Sequence, residues 1–146
     1  MDDTGCAQLT HYLRLLQRDF AAEFGAADFT VWNLRTREAV FGEARRDVRL
    51  SGFGWSGYAM EWLGTVTDVG HGSPATVAVG VAAALQDCVA DRRGDRWPEV
   101  TVHGIIRGWR PRVGDDGEPG WSRTGERCRF GVLSSTSNQS VLVRPL

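Results

Sequence analysis

The sequence predicts an α+β domain in which an antiparallel sheet carries two helices on one face, and three observations lead there. Residues 7–24 repeat apolar side chains every three or four positions, the next forty residues switch to an alternating period, and a helix start returns at Ser73-Pro74. A spacing near 3.6 builds one stripe of a helix, whereas a spacing of two builds one face of a strand. Strand runs set between and after two helices place those helices together on one side of an antiparallel sheet.

The first helix buries Leu9, Tyr12, Leu13, Leu16, Phe20 and Phe24 along a single stripe, and Gly25 is placed to end it in a left-handed cap. The runs FTVWNLR and EAVFGEA alternate around Thr36-Arg37, which suits a hairpin connection. A third strand is expected through DVRLSGF and a fourth through GYAMEWLGTVTDV, with Gly52, Gly54 and Gly57 marking a turn or bulge. These runs make a meander of three or four strands.

The second helix is expected over 74–92. Ser73 is a good N-cap, and Pro74 suits the first helical position, where its missing N–H is no loss. Val77, Val81, Ala84, Leu85, Cys88 and Val89 form its inner face, Gly80 and the alanines allow close approach to a sheet, and Gly94 ends it. A β period follows from Glu99 to Ile106. The segment RPRVGDDGEPGWSRTGE is rich in Gly, Pro and charge, and predicts an irregular exposed loop at about 107–126. RCRFGVLS and SVLVRPL close the chain as a hairpin around a polar turn, Ser135 to Ser140. There is no internal repeat and no linker, so residues 1–146 are expected to form one domain.

Composition bounds the function classes. A chain of 146 residues with 42% hydrophobic and 24% charged residues can bury a core and is not a disordered polymer. The formal net charge of −1 gives no overall field that recruits nucleic acid or an anionic membrane. All 17 basic residues are Arg. A GC-rich genome explains that bias; selection for planar guanidinium contacts would require the arginines to gather on one face. The N-terminus lacks an apolar signal region and no run is long enough to span a bilayer, so the expected address is the cytoplasm, with no membrane partner. Three cysteines, Cys6, Cys88 and Cys128, show no disulfide framework and fit a reducing compartment.

Candidate chemistry centres on VGHGSPAT. A glycine-flanked turn opening a helix presents backbone N–H groups and the positive end of the helix dipole, so an anion could rest there, with His71 supplying a proton or charge. The same residues are also what a strand-to-helix turn and a cap require. The stretch lacks the Gly-Lys-Ser/Thr ending of a phosphate loop and the G-x-S-x-G of a nucleophile elbow. Cys88 falls on an inner helix face. In RCRF, alternation puts Cys128 and Phe130 inward with Arg127 and Arg129 outward, which makes neither thiol a nucleophile. No carboxylate pair and no His/Cys spacing suits a dyad or a metal, so no cofactor and no metal are expected.

The run ALQDCVADRRGDRWPEVTVHG, with DGEPGWSRTGE after it, resembles a group of small actinobacterial proteins. In these, a helix ending in Gln-Asp precedes Trp-Pro, then Cys-Pro with His, then Trp-x-Cys, a zinc-knuckle-like set. This chain keeps Gln86-Asp87, Trp97-Pro98, His103 and Trp121, but has Val100-Thr101 and Ser122-Arg123 where the cysteines would stand. The resemblance covers about residues 75–130, implies no function, and its departures argue against a metal here.

Six tryptophans are the compositional outlier. Trp32 and Trp62 sit within strand runs, whereas Trp109 and Trp121 lie among Gly, Pro and Arg. Indole and guanidinium together are enriched at recognition surfaces, so Arg107, Trp109, Arg110 and Trp121 are the candidate partner-binding residues, with one of the two indoles exposed. The leading expectation is a non-catalytic module that binds a protein or peptide, as immunity proteins and secretion chaperones do. The element order is similar to the secretion-chaperone arrangement, an analogy of fold alone. The alternative is a small enzyme or small-molecule-binding protein with a pocket near the 70–74 turn, using His71, Ser73 and His103. An RNA-binding role ranks third, because Asp115, Asp116 and Glu118 share the segment with the arginines.

Overall fold

A computed structural model describes residues 2–24, 28–44, 48–94, 97–102, 105–123, 125–133 and 144–145. Helix α1 spans Asp3–Phe24 and begins before the apolar stripe does. Asp2 is the reason: its Oδ1 accepts the Gly5 N–H at 2.7 Å and its carbonyl accepts the Cys6 N–H at 2.9 Å. Leu9, Tyr12, Leu13, Leu16 and Phe20 are buried as the stripe predicts, and so is Asp19.

The first sheet joins β1 (Thr30–Asn33), β2 (Glu38–Phe41), β3 (Tyr58–Trp62) and β4 (Thr65–Gly70) in the antiparallel order β2-β1-β3-β4. The expected third strand at DVRLSGF is absent over residues 48–53, which form turns and loop. The expected single strand GYAMEWLGTVTDV is instead a hairpin. Leu63 and Gly64 both take left-handed backbone, φ 51 and 87, which is what a tight two-residue turn of matching twist needs. Glu61 stabilises that turn by accepting the Gly64 N–H at 2.8 Å, which explains a carboxylate at a buried strand position. The connection from β2 to β3 therefore crosses to the far side of β1, and residues 48–57 lie along that crossing.

Helix α2 spans Pro74–Arg93, and Gly94 closes it at φ 70 with its N–H on the Ala90 carbonyl, 2.9 Å away. Its predicted inner face, Val77, Val81, Ala84, Leu85, Cys88 and Val89, is buried together with Ala75, Ala78 and Ala82. Gly80 lies so close to β4 that a Cβ there would collide with the Val69 carbonyl. Small residues let α2 pack against α1, β3 and β4 on one side and against strands of a second sheet on another.

Strands β5 (Glu99–Val102) and β6 (Ile105–Gly108) pair with each other. The second four-stranded sheet, ordered β10-β9-β8-β7, contains β7 (Arg110–Val113), β8 (Pro119–Arg123), β9 (Glu126–Arg129) and β10 (Arg144–Pro145). The irregular loop expected at about 107–126 is therefore mostly a β-hairpin. Asp115-Asp116-Gly117 makes its turn, with Gly117 at φ 80 and the Gly114 N–H donated to the Glu118 carbonyl at 2.8 Å. Pro and Gly are tolerated here because Pro111 lies in an edge strand and Gly120 where β8 and β9 approach closely. The expected turn Ser135 to Ser140 lies outside the described residues.

The core is aromatic and continuous across both sheets. Phe41 stacks on Phe29, and Phe20 meets Phe29 and Trp97 edge to face; Trp97 then meets Trp121 at 5.2 Å and Trp121 meets Phe130 at 5.0 Å. Such offset contacts contribute about 0.5–1.5 kcal/mol each beyond area burial. Asp19 ties α1 to the second sheet: its Oδ2 accepts Trp121 Nε1–H at 2.8 Å and the Gly131 N–H at 2.7 Å.

Candidate recognition surface

Both tryptophans expected to present a binding loop are core residues, which corrects that expectation. Trp109 is 1% exposed and Trp121 0%. The physical reason is strand alternation. Trp121 pairs across β8 with Pro111 and Cys128, so all three point to the same covered side. Trp109 joins β6 to β7; its N–H bonds the Pro98 carbonyl at 3.0 Å and its own carbonyl accepts Gln86 Nε2–H at 2.7 Å. The expected guanidinium–indole partnership exists, but internally: Arg123 lies 4.3 Å over the Trp109 ring and is ion-paired to Glu126. Arg110 is exposed. Arg107 is a β6 residue paired with Val100.

The exposed indole is Trp55, at 71%. It sits near the end of the crossing segment, in GFGWSG, directly between Gly54 and Ser56. The loop is nevertheless held in place. Asn33 Oδ1 accepts the N–H groups of Arg35 and Thr36 at 2.9 and 3.3 Å, and the turn leaves Arg37 at φ 60. From there Arg37 Nη1 donates to the Leu50 carbonyl at 3.0 Å, Nη2 reaches the Phe53 carbonyl at 3.4 Å, and the guanidinium lies 3.9 Å over the Trp55 ring. Leu34 N–H donates to the Gly57 carbonyl at 2.9 Å, which anchors the segment where it enters β3. A cation stacked on an exposed indole is worth about 0.5–1 kcal/mol, enough to bias the ring without covering it.

The 70–74 turn borders this loop. Gly57 lies against the other side of the turn, since a Cβ built on it would sit 2.7 Å from the Gly70 carbonyl and 3.6 Å from His71 Cβ. His71, Gly72 and Ser73 are all exposed. Ser73 caps α2: its Oγ accepts the Thr76 N–H at 3.2 Å and lies 2.9 Å from Thr76 Oγ1. Gly70 and Gly72, at φ 83 and 131, make the turn that L side chains rarely adopt. The structure brings His71 and Ser73 into one turn; His103 lies outside the described residues.

Cys88 and Cys128 are buried, as the inner face of α2 and strand alternation respectively predict. Burial pushes the Cys128 thiol up to about 12, and burial likewise raises that of Cys88. Among the described residues no group of three or more His, Cys, Asp and Glu side chains is placed to hold a metal ion. No helix among them is long and apolar enough to cross a membrane.

Trp55 was missed because it reads as a turn residue. Its immediate neighbours, Gly54 and Ser56, give no signal, since Trp121 has the same ones; what sets Trp55 apart in the sequence is its place outside any periodic run. Compared with protein-family models, with curated proteins and with solved structures, the chain finds no match. The resemblance over residues 75–130 thus has no counterpart among them. Its shared residues have structural roles here: Gln86 bonds the Trp109 carbonyl, and Trp97 and Trp121 meet in the core.

Proposed function

We propose that the protein is a non-catalytic binding module for a protein or peptide partner, and that the partner docks on the Trp55 loop. The observation that carries this reading is an indole 71% exposed yet held in one place by Arg37. Exposed large aromatics on an ordered loop are the residues that interfaces use as anchors, because two side-chain torsions order a large contact area. Pre-ordering by Arg37 lowers the entropy lost on association. The 71–73 turn, bordering the loop at Gly57, extends the same surface with polar groups. Ser73 Oγ serves α2, which favours a binding surface over a nucleophile.

A photo-crosslinking amino acid at Ser56, introduced into the protein and irradiated in an extract of the source cells, tests the reading. A discrete adduct that disappears in Trp55→Ala and weakens in Arg37→Ala is the expected result. No discrete adduct, or one indifferent to Trp55→Ala, overturns it.

A further inference from the structure

Four arginines of the second sheet, Arg110, Arg112, Arg127 and Arg129, share one face, whereas Arg123 lies on the other, over Trp109. Arg110 pairs with Ser122, Ser122 with Arg127, and Arg127 with Arg144, so these positions form one cross-strand row. Arg112, Gly120 and Arg129 form the next row. The intervening positions, Trp121 and Cys128, are buried on the opposite side. Arg110, Arg112 and Arg129 are exposed and Arg127 is half-buried, around a centre of Gly120 and Ser122 that is too short to shield them. Alternate residues along a strand stand about 7 Å apart and next-but-one strands about 10 Å apart, so flexible arginines can converge on one ligand segment.

This face is under-neutralised. Asp116 lies 3.4 Å from Arg127 Nη1 and 3.4 Å from Arg129 Nη2, longer than a tight charge-assisted bond. Arg110 and Arg112 make no ion pair among the described residues. Of the other acids in the turn, Glu118 is half-buried and Asp115 is exposed. A chain of net charge −1 therefore concentrates positive charge on one sheet face.

We propose that this arginine face binds a run of carboxylates on an acidic protein or peptide segment, at a surface distinct from the Trp55 loop and independent of it. Two observations favour carboxylates over nucleic acid. The described face carries no aromatic side chain on which bases could stack, since Trp121 points the other way. The chain's own Asp116 carboxylate already rests against Arg127 and Arg129, in the place a ligand carboxylate would take. Guanidinium is well suited to this, because its planar fork matches a carboxylate's two oxygens.

Fluorescence anisotropy with a labelled polyglutamate peptide at low salt tests the proposal, with a single-stranded RNA and a duplex DNA of matched charge measured alongside. The peptide should bind saturably and weaken with salt. The double variant Arg110→Glu/Arg112→Glu, away from the Asp116 contacts, should weaken it by about tenfold or more, since reversed charges now repel the ligand. Asp116→Ala should tighten it, and Trp55→Ala should leave it unchanged. If the charge-reversed chain does not fold by circular dichroism, Arg110→Gln/Arg112→Gln replaces it with the same expected direction. Absence of saturable peptide binding, indifference to the Arg110 and Arg112 changes, or tighter binding of either nucleic acid overturns the proposal, the last by assigning the face to phosphates.

Discussion

The same tripeptide, Gly-Trp-Ser, occurs at Gly54-Trp55-Ser56 and at Gly120-Trp121-Ser122, yet one indole is 71% exposed and the other 0%. Local composition does not separate them. What separates them is pairing. Trp121 lies in a strand flanked on both sides, where alternation sends Gly120 and Ser122 outward and the indole into the core beside Trp97 and Phe130. Trp55 belongs to a crossing segment with no ladder of its own, held by Arg37 and leading into β3. Each indole has an oriented polar partner. Asp19 receives the Trp121 N–H within the core, whereas Arg37 stacks on the face of Trp55 in water.

Substitution should break the symmetry of the two sites most strongly at the indoles themselves. Trp121→Ala should cost about 3–5 kcal/mol in denaturant unfolding, as large-to-small core changes do. Trp55→Ala should stay within about 0.5 kcal/mol, as expected of an exposed site. Comparable losses at both positions would erase the distinction. Next in size is the buried acceptor. Asp19→Ala leaves the Trp121 and Gly131 N–H groups without it and should cost about 3 kcal/mol, whereas Asp19→Asn, which keeps an acceptor oxygen, should cost less.

Much of this was legible in the sequence, for identifiable reasons. The stripe from Leu9 to Phe24, the Ser73-Pro74 start and the Gly94 stop each name one conformation, and each is found. The inward turn of Cys128 and Phe130 followed from period two. The 107–126 segment carries two opposed signals, Pro and Gly for a loop and an alternating period for strands, and the period prevails. RPRV places Arg at every second position before the Asp116-Gly117 turn signal, and RCRF repeats that alternation one strand beyond the hairpin, which is a meander pattern. The arginine face is that same pattern seen from outside. Leu63-Gly64 hid a turn inside an apolar run, since a leucine at φ 51 carries no turn signature in its side chain. Asp19 could not be anticipated at all: its partners are 102 and 112 residues away.

Smaller effects sharpen the contrast between structural and accessible groups. Ser73→Ala should cost about 1 kcal/mol through the lost cap, and His71→Ala less than about 0.5 kcal/mol. A larger loss at His71 would show that its side chain supports the turn. Thiol chemistry gives the gentlest test. Alkylation at neutral pH followed by mass spectrometry should modify half-buried Cys6 before Cys88 and Cys128. The Cys128 thiol is raised in the folded state, so its contribution to stability is fully present below its ordinary value of 9.0 and is lost as pH rises toward about 12. Cys128→Ala should flatten that alkaline loss, and an unchanged alkaline profile would contradict the assignment.

The central claim is that the accessible indole lies in the 48–57 segment and not in the 107–126 hairpin. Hydroxyl-radical footprinting of the isolated protein, with peptide mass spectrometry resolving individual tryptophans, measures this directly. Trp55 should oxidise much faster than Trp97, Trp109 and Trp121, which should react slowly and together. Oxidation of Trp109 or Trp121 at the rate of Trp55 would contradict the account and return recognition to the hairpin.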